Sequence, residues 1–303
     1  MVRNIITSIK GSRKLQRWRK TANREAWQLQ RDNPLEVPFH MKPIARQFAR
    51  DGLAVFSITK LTGGKELLDG LRKEFREGCH RLADEIESKQ NALLSPHDEK
   101  DGSKGYIVQF RPWEDSPQYQ TALGQLALHP DIISLVNHYF HLYSKVMTPS
   151  YWNTLVSGSA TPRSSQQWHR DYEDVQVVKA FVYLNDVDDG NGPFHYMRKT
   201  HAGVGRWTNP KTWRDSEGGV RAHEDDLFQV FDPQRCEKIT GTVGTMFIAD
   251  TKGYHRGGLA IDRTRELAFT SYKSPIFQAK GLSAPFENLP ENVHPAIRFA
   301  AQP

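Results

Sequence analysis

Gln167-Trp168-His169-Arg170-Asp171, followed 84 residues after its aspartate by the histidine of Tyr254-His255-Arg256-Gly257-Gly258, decides the fold expected of this chain. Side chains two apart on an extended strand point to the same side, so His169 and Asp171 can share the interior face of a barrel while His255 arrives from another strand. Two imidazoles and one carboxylate can occupy one triangular face of an octahedral metal and leave the opposite positions open. That is the ligand set of a non-haem Fe(II) centre engaged in oxygen chemistry. A His-x-Asp triplet alone says little in a chain with 12 histidines; its surroundings carry the weight.

Beyond His255 and its Gly-Gly turn, Arg265 opens the β-branched and apolar run Leu267-Ala268-Phe269-Thr270-Ser271-Tyr272, which predicts a strand. An arginine there can offer a planar fork to a carboxylate, with Arg263 as the local competitor. Val175 to Leu184 is long and apolar enough for a central strand, and the cluster Asn185 to Asn191 turns the chain. Residues 206–221 look like an insertion between strands, with a short helix over His223 to Phe231. Earlier in the chain, Pro43 to Asp51, Gly63 to Ile86, Gln118 to Leu128 and Pro130 to Phe140 carry helical patterns, Leu53 to Ile58 a strand, and residues 88–105 read as a loop. Helices first and strands afterwards predict a β-rich α+β fold: a double-stranded β-helix (jelly roll, cupin-like) core with helices packed outside. The expected division is a basic N-terminal extension over 1–42 and a single domain over 43–303, its core at about 146–280.

With these residues in place, the chain resembles the phytanoyl-CoA dioxygenase family of Fe(II)- and 2-oxoglutarate-dependent oxygenases. The family motif is His-x-Asp, a distal His, and an Arg about one hairpin later. Arg50-Asp51-Gly52-Leu53-Ala54-Val55-Phe56 resembles the aspartate-glycine turn and first strand of many members. Gly192-Pro193-Phe194-His195-Tyr196 with Lys199-Thr200-His201 resembles the segment between the metal-binding strands, although Arg198-Lys199-Thr200 replaces the usual Pro-Gly-Ser portion. Gly244-Thr245-Met246-Phe247-Ile248-Ala249-Asp250 resembles the strand leading to the distal histidine, with Thr245 where many members have Asp. The likeness spans roughly residues 44–280.

The resemblance implies His169, Asp171 and His255 as ligands of Fe(II), and Arg265 as the residue holding the distal carboxylate of 2-oxoglutarate. O2 would be the second co-substrate, and Gln167 and Asn153 would be polar groups touching 2-oxoglutarate. It implies hydroxylation of an aliphatic C–H of a small molecule or secondary metabolite with release of succinate and CO2. Desaturation, ring closure and epimerisation use the same ligands, and Asp171 disfavours halogenation. The alternative is a jelly-roll protein that binds a metal or ligand without turnover. His195, His201, Trp168, Phe181 and Tyr183 are candidate cavity residues with structural roles as the alternative.

Composition fits a soluble enzyme: 303 residues, 38% apolar and 25% charged. No apolar run reaches the roughly eighteen residues of a membrane span, and Asn4 to Ile9 is too short and polar for a secretory core, so a cytoplasmic home is expected. Only Cys79 and Cys236 are present, too few for a disulfide framework. Residues 1–32 carry nine basic groups against Glu25 and Asp32, a charge of +7 in a chain of +6, so the remainder is about −1. With Trp18 and Trp27 interleaved, this arm is either a solvated segment or a contact for an anionic membrane or acidic partner. No nucleic-acid recognition motif accompanies it. Arg111, Arg163, Arg170 and Arg206 favour an anionic substrate if they face the cavity.

Overall fold

A computed structural model describes residues 13–94, 105–112, 118–147, 149–157, 161–215, 218–277 and 285–303. Its strands in chain order are β1 (Leu53–Ser57), β2 (Ile107–Phe110), β3 (Lys145–Val146), β4 (Ser150–Thr154), β5 (Trp168–His169), β6 (Val178–Tyr183) and β7 (Phe194–Met197). There follow β8 (Trp213–Arg214), β9 (Val220–Ala222), β10 (Cys236–Ile239), β11 (Thr245–Asp250), β12 (His255–Gly257) and β13 (Arg265–Lys273). One sheet runs β1-β11-β6-β13-β4-β2 with β3 also on β13, and the second runs β10-β7-β12-β5-β9-β8. Every strand pairing is antiparallel. The two sheets face one another, and helices cover the outside of the larger, which is the expected jelly roll.

Alternation along the central strands separates two cores. Val178, Ala180 and Val182 of β6 point outward into a cluster with helical residues such as Phe48, Leu71 and Val136. Phe181 and Tyr183 point inward to Phe247, Phe269 and Phe194. Because both faces of this strand are covered, it is apolar apart from Lys179, as a strand buried on both sides is expected to be.

The helix Lys42–Asp51 delivers the chain to β1 through Gly52, whose φ of 76° closes the helix by donating from its N–H to the Phe48 carbonyl. A Cβ at Gly52 would stand 2.4 Å from the Tyr196 hydroxyl and 2.3 Å from the His201 ring, so conformation and space both demand glycine. The helices Gly64–Arg81 and Pro130–Phe140 match the sequence patterns closely. Residues 88–94, expected as loop, are instead the end of the helix Ala83–Leu94, which buries no residue. Its apolar residues Ala83, Ile86, Ala92, Leu93 and Leu94 do not form the sustained stripe by which helices are recognised. Residues 95–104 of the same expected loop lie outside the described residues.

The basic extension is not a detached arm where it is described. Most of its described charges are exposed, including Arg13, Lys14, Arg17, Lys20 and Arg24, but its apolar side packs on the body. Trp18 is buried and meets Phe140 edge-on at 5.8 Å, and its indole N–H donates to Asp174 Oδ1 at 2.9 Å. Arg19 Nε donates to the Phe140 carbonyl at 2.7 Å. Trp18→Ala is therefore expected to destabilise the protein by about 3–5 kcal/mol in urea denaturation; a loss below about 1 kcal/mol would show the segment to be energetically idle. No helix among the described residues is long and apolar enough to cross a membrane.

Candidate metal centre and its cavity

His169 and His255 are directly paired across β5 and β12, with ring centroids 4.2 Å apart. Asp171 lies just past β5, its N–H donating to the Thr251 carbonyl at 2.9 Å, which returns its side chain to the face His169 uses. One ligand atom from each of the three residues falls within 4.8 Å of the other two, and His255 Nε2 is 3.9 Å from Asp171 Oδ2.

The tautomers follow from the hydrogen bonds. His169 Nδ1 lies 2.8 Å from the Gln167 carbonyl and His255 Nδ1 lies 3.0 Å from the Gly253 carbonyl. A carbonyl only accepts, so each Nδ1 carries the proton and each Nε2 presents its lone pair to the cavity. Burial drives the His169 pKa well below its ordinary value, with His255 adding to it, and burial likewise lowers that of His255. Burial pushes the Asp171 carboxyl upward, yet the neighbouring Lys179 ammonium outweighs it and holds the group ionised, below the usual carboxylate range. Two neutral imidazoles and a carboxylate, with lone pairs convergent, fit a divalent transition metal.

The cavity around them encloses about 150 Å³. Trp152, Phe181, Phe194, Phe247 and Leu267 supply its apolar walls, and Tyr106, Ser165, Glu173, Lys179 and Arg265 its polar groups. Arg265 opens β13 and points inward, 5% exposed; Nη2 donates to Thr154 Oγ1 at 3.4 Å, while Nε and Nη1 have no hydrogen-bond partner. A buried guanidinium with two unanswered nitrogens fits an absent carboxylate. Gly257 makes room for it, since a Cβ there would stand 3.3 Å from Arg265 Nη2. Arg263, the competitor, is exposed and pairs with Asp188 at 2.7 Å.

Other candidates lie elsewhere. Asn153 does not line the cavity: its neighbour Trp152 points inward, and Asn153 faces the outer groove with Cys79, Gln90 and Glu266. The one-residue parity of a strand excludes both from facing the same way. Gln167 contributes its carbonyl to His169, and its side-chain Nε2 donates to the Pro162 carbonyl at 3.1 Å. His195 borders a separate outer pocket with Lys238 and Arg256, and His201 packs beside Tyr139 and Gly52. Trp168 faces away from His169 and donates to Glu224 Oε2 at 3.0 Å. Phe181 walls the cavity as expected, whereas Tyr183 lies in the adjoining core and donates to the Ile239 carbonyl. The Arg170 guanidinium stacks on Tyr254 and donates to the carbonyls of Arg206, Thr200 and Gly205, and Arg206 Nη2 donates to that of Val175. These two arginines hold loops together. The polar cavity side chains absent from the sequence-based set are Tyr106, Ser165, Glu173 and Lys179.

No protein-family model matches the chain, and no curated protein matches its sequence. Similarity appears among solved structures. The epimerase SnoN, in complex with Fe3+, alpha ketoglutarate and nogalamycin RO, is 16% identical, with 77% of this chain and 83% of that one covered at a TM-score of 0.51. EctD from S. alaskensis with bound Fe gives 15% identity, 76% and 75% coverage and a TM-score of 0.47. AviO1 from Streptomyces viridochromogenes Tue57 gives 17%, 77% and 95%, and 0.47. The likeness to SnoN is one of fold, and it agrees with the jelly roll built above from strand order and register.

Proposed function

We propose that the protein is a non-haem Fe(II)- and 2-oxoglutarate-dependent oxygenase of the phytanoyl-CoA dioxygenase type, hydroxylating an aliphatic C–H of a small molecule. The observation that carries this is the pairing, in one cavity, of convergent His169, Asp171 and His255 donors with the half-satisfied guanidinium of Arg265. SnoN, an epimerase named with iron and alpha ketoglutarate, supports the choice of metal and co-substrate and leaves the reaction type to experiment.

His169, Asp171 and His255 would hold the iron, which when bound supplies O2 activation coupled to conversion of 2-oxoglutarate to succinate and CO2. Arg265 would bind the distal carboxylate of the co-substrate with its free Nε and Nη1, Thr154 fixing the guanidinium from the other side. The Gln167 and Gly253 carbonyls keep both imidazoles in the ligating tautomer and orientation. Trp152, Phe181, Phe194 and Phe247 exclude water and shape the space for an apolar substrate. Cys79 and Cys236 are both free thiols, in keeping with a reducing cytoplasmic setting suited to ferrous iron.

The test is anaerobic titration of metal-free protein with Fe(II) and then 2-oxoglutarate, following the visible charge-transfer band of the ternary complex. A band in the parent that is lost in a folded His169→Ala variant is expected. No band from a folded parent that takes up Fe(II) would transfer the chain to the non-catalytic binding proteins.

A further inference from the structure

Lys179 sits on β6 beside the ligand carboxylate, with Nζ 2.6 Å from Asp171 Oδ2 and side chains only 17% and 12% exposed. That oxygen is also the one 3.9 Å from His255 Nε2, so the ammonium and a metal bound between the ligands seek the same atom. In the metal-free chain Lys179 supplies the positive charge that Asp171 needs. Once a dication takes that role, the ammonium is repelled by it and its hold on Oδ2 weakens.

The charges around the cavity show what the freed ammonium would meet. Asp171 and Glu173 are its lining carboxylates and Lys179 and Arg265 its lining cations, while Lys273 Nζ stands 3.8 Å from Glu173. The four lining charges balance, so the need for an anion comes from an exchange of partners: with a metal on Asp171 and Lys273 beside Glu173, Lys179 is the lining cation whose own carboxylate has been taken. Such a cation in a mostly buried, aromatic-walled space calls for an anion. Register places it: Lys179 pairs with Ser271 near the end of β13 remote from Arg265, so it does not share the end assigned to the distal carboxylate of 2-oxoglutarate.

We propose that Lys179 is the anchor for an anionic group of the substrate, which is then an apolar molecule bearing a single carboxylate, and that metal binding releases the lysine for this task. The inference rests on the function proposed above. It differs from the arginine-based expectation, because Arg170 and Arg206 are consumed by backbone carbonyls whereas Lys179 faces the cavity.

The experiment uses the full chain loaded with Zn(II) and 2-oxoglutarate, a redox-silent state in which Arg265 is already occupied. Calorimetry measures matched acid and amide probes: 3-phenylpropionate against 3-phenylpropionamide, and the cyclohexyl equivalents. In the parent the acids should bind about tenfold more tightly than the amides. That preference should vanish in Lys179→Met and survive in Lys179→Arg, and acid binding should weaken when Zn(II) is withheld. Zn(II) uptake by each variant verifies its site. Acids and amides that bind alike, or not at all, to a parent that takes up Zn(II) and 2-oxoglutarate overturn the role of Lys179 alone. A preference that persists in Lys179→Met does so too, by showing that the acid ligates the metal. A folded parent that takes up no Zn(II) overturns the proposed function with it.

Discussion

Asp171→Ala should cost the metal-free protein about 3 kcal/mol, besides abolishing tight metal binding, because it strands the Lys179 ammonium in a mostly buried site. The figure sits at the low end for a broken buried pair, since Glu173 also attracts Lys179 and can take up part of the charge. Removing both partners in Asp171→Ala/Lys179→Met should restore most of the stability, as an apolar pair of similar volume carries no desolvation cost. It should not restore metal binding, because the carboxylate ligand is gone. Urea denaturation of the metal-free forms and Mn(II) competition against a chromophoric chelator separate the two effects. Equal destabilisation in the single and double variants would mean that the ion pair is not what Asp171 contributes to folding.

The parts of this site that could be read from the sequence are those fixed by short spacing. His169 and Asp171 are two apart, so parity along an extended segment turns them to one side, while His255 is brought to them by the pairing of β12 with β5. Arg265 abuts the apolar strand and Arg263 does not, and the structure places the first inside and the second outside. Lys179 is not legible in the sequence, for a physical reason. Apart from Lys179 its strand is apolar on both faces, the outer lying under helices and the inner forming the barrel core, so no alternation marks which residues face the cavity. Asn153 shows the converse: proximity in sequence to the site says nothing without parity, and Trp152 takes the inward position. In the N-terminal segment charge hides packing, since most of the described cations are exposed while Trp18, Ala26 and Met41 are buried.

Arg265→Met should leave the fold as stable as the parent or more so, while raising the 2-oxoglutarate dissociation constant about a hundredfold. The stability half follows from what Arg265 lacks. Burial lowers its pKa, its Nε and Nη1 have no partner, and its one hydrogen bond is the long contact to Thr154. A buried donor without an acceptor costs about 1–3 kcal/mol, and a flexible apolar side chain of comparable length removes that cost without opening a large cavity. The affinity half follows from the same atoms. Two charge-assisted hydrogen bonds to a carboxylate, at about 1.5–3 kcal/mol each, account for a hundredfold, which corresponds to about 2.7 kcal/mol. Thermal denaturation of the metal-free protein, with calorimetry of 2-oxoglutarate binding to the Zn(II)-loaded form, measures both. A melting temperature that drops by about 5 °C or more, with 2-oxoglutarate affinity unchanged, would make Arg265 a structural residue and leave the co-substrate without its clamp. Opposite signs in the two measurements would instead identify a residue that weakens the empty fold and is satisfied only when a carboxylate arrives. For Arg265 the unpaired nitrogens are the ground for expecting that result.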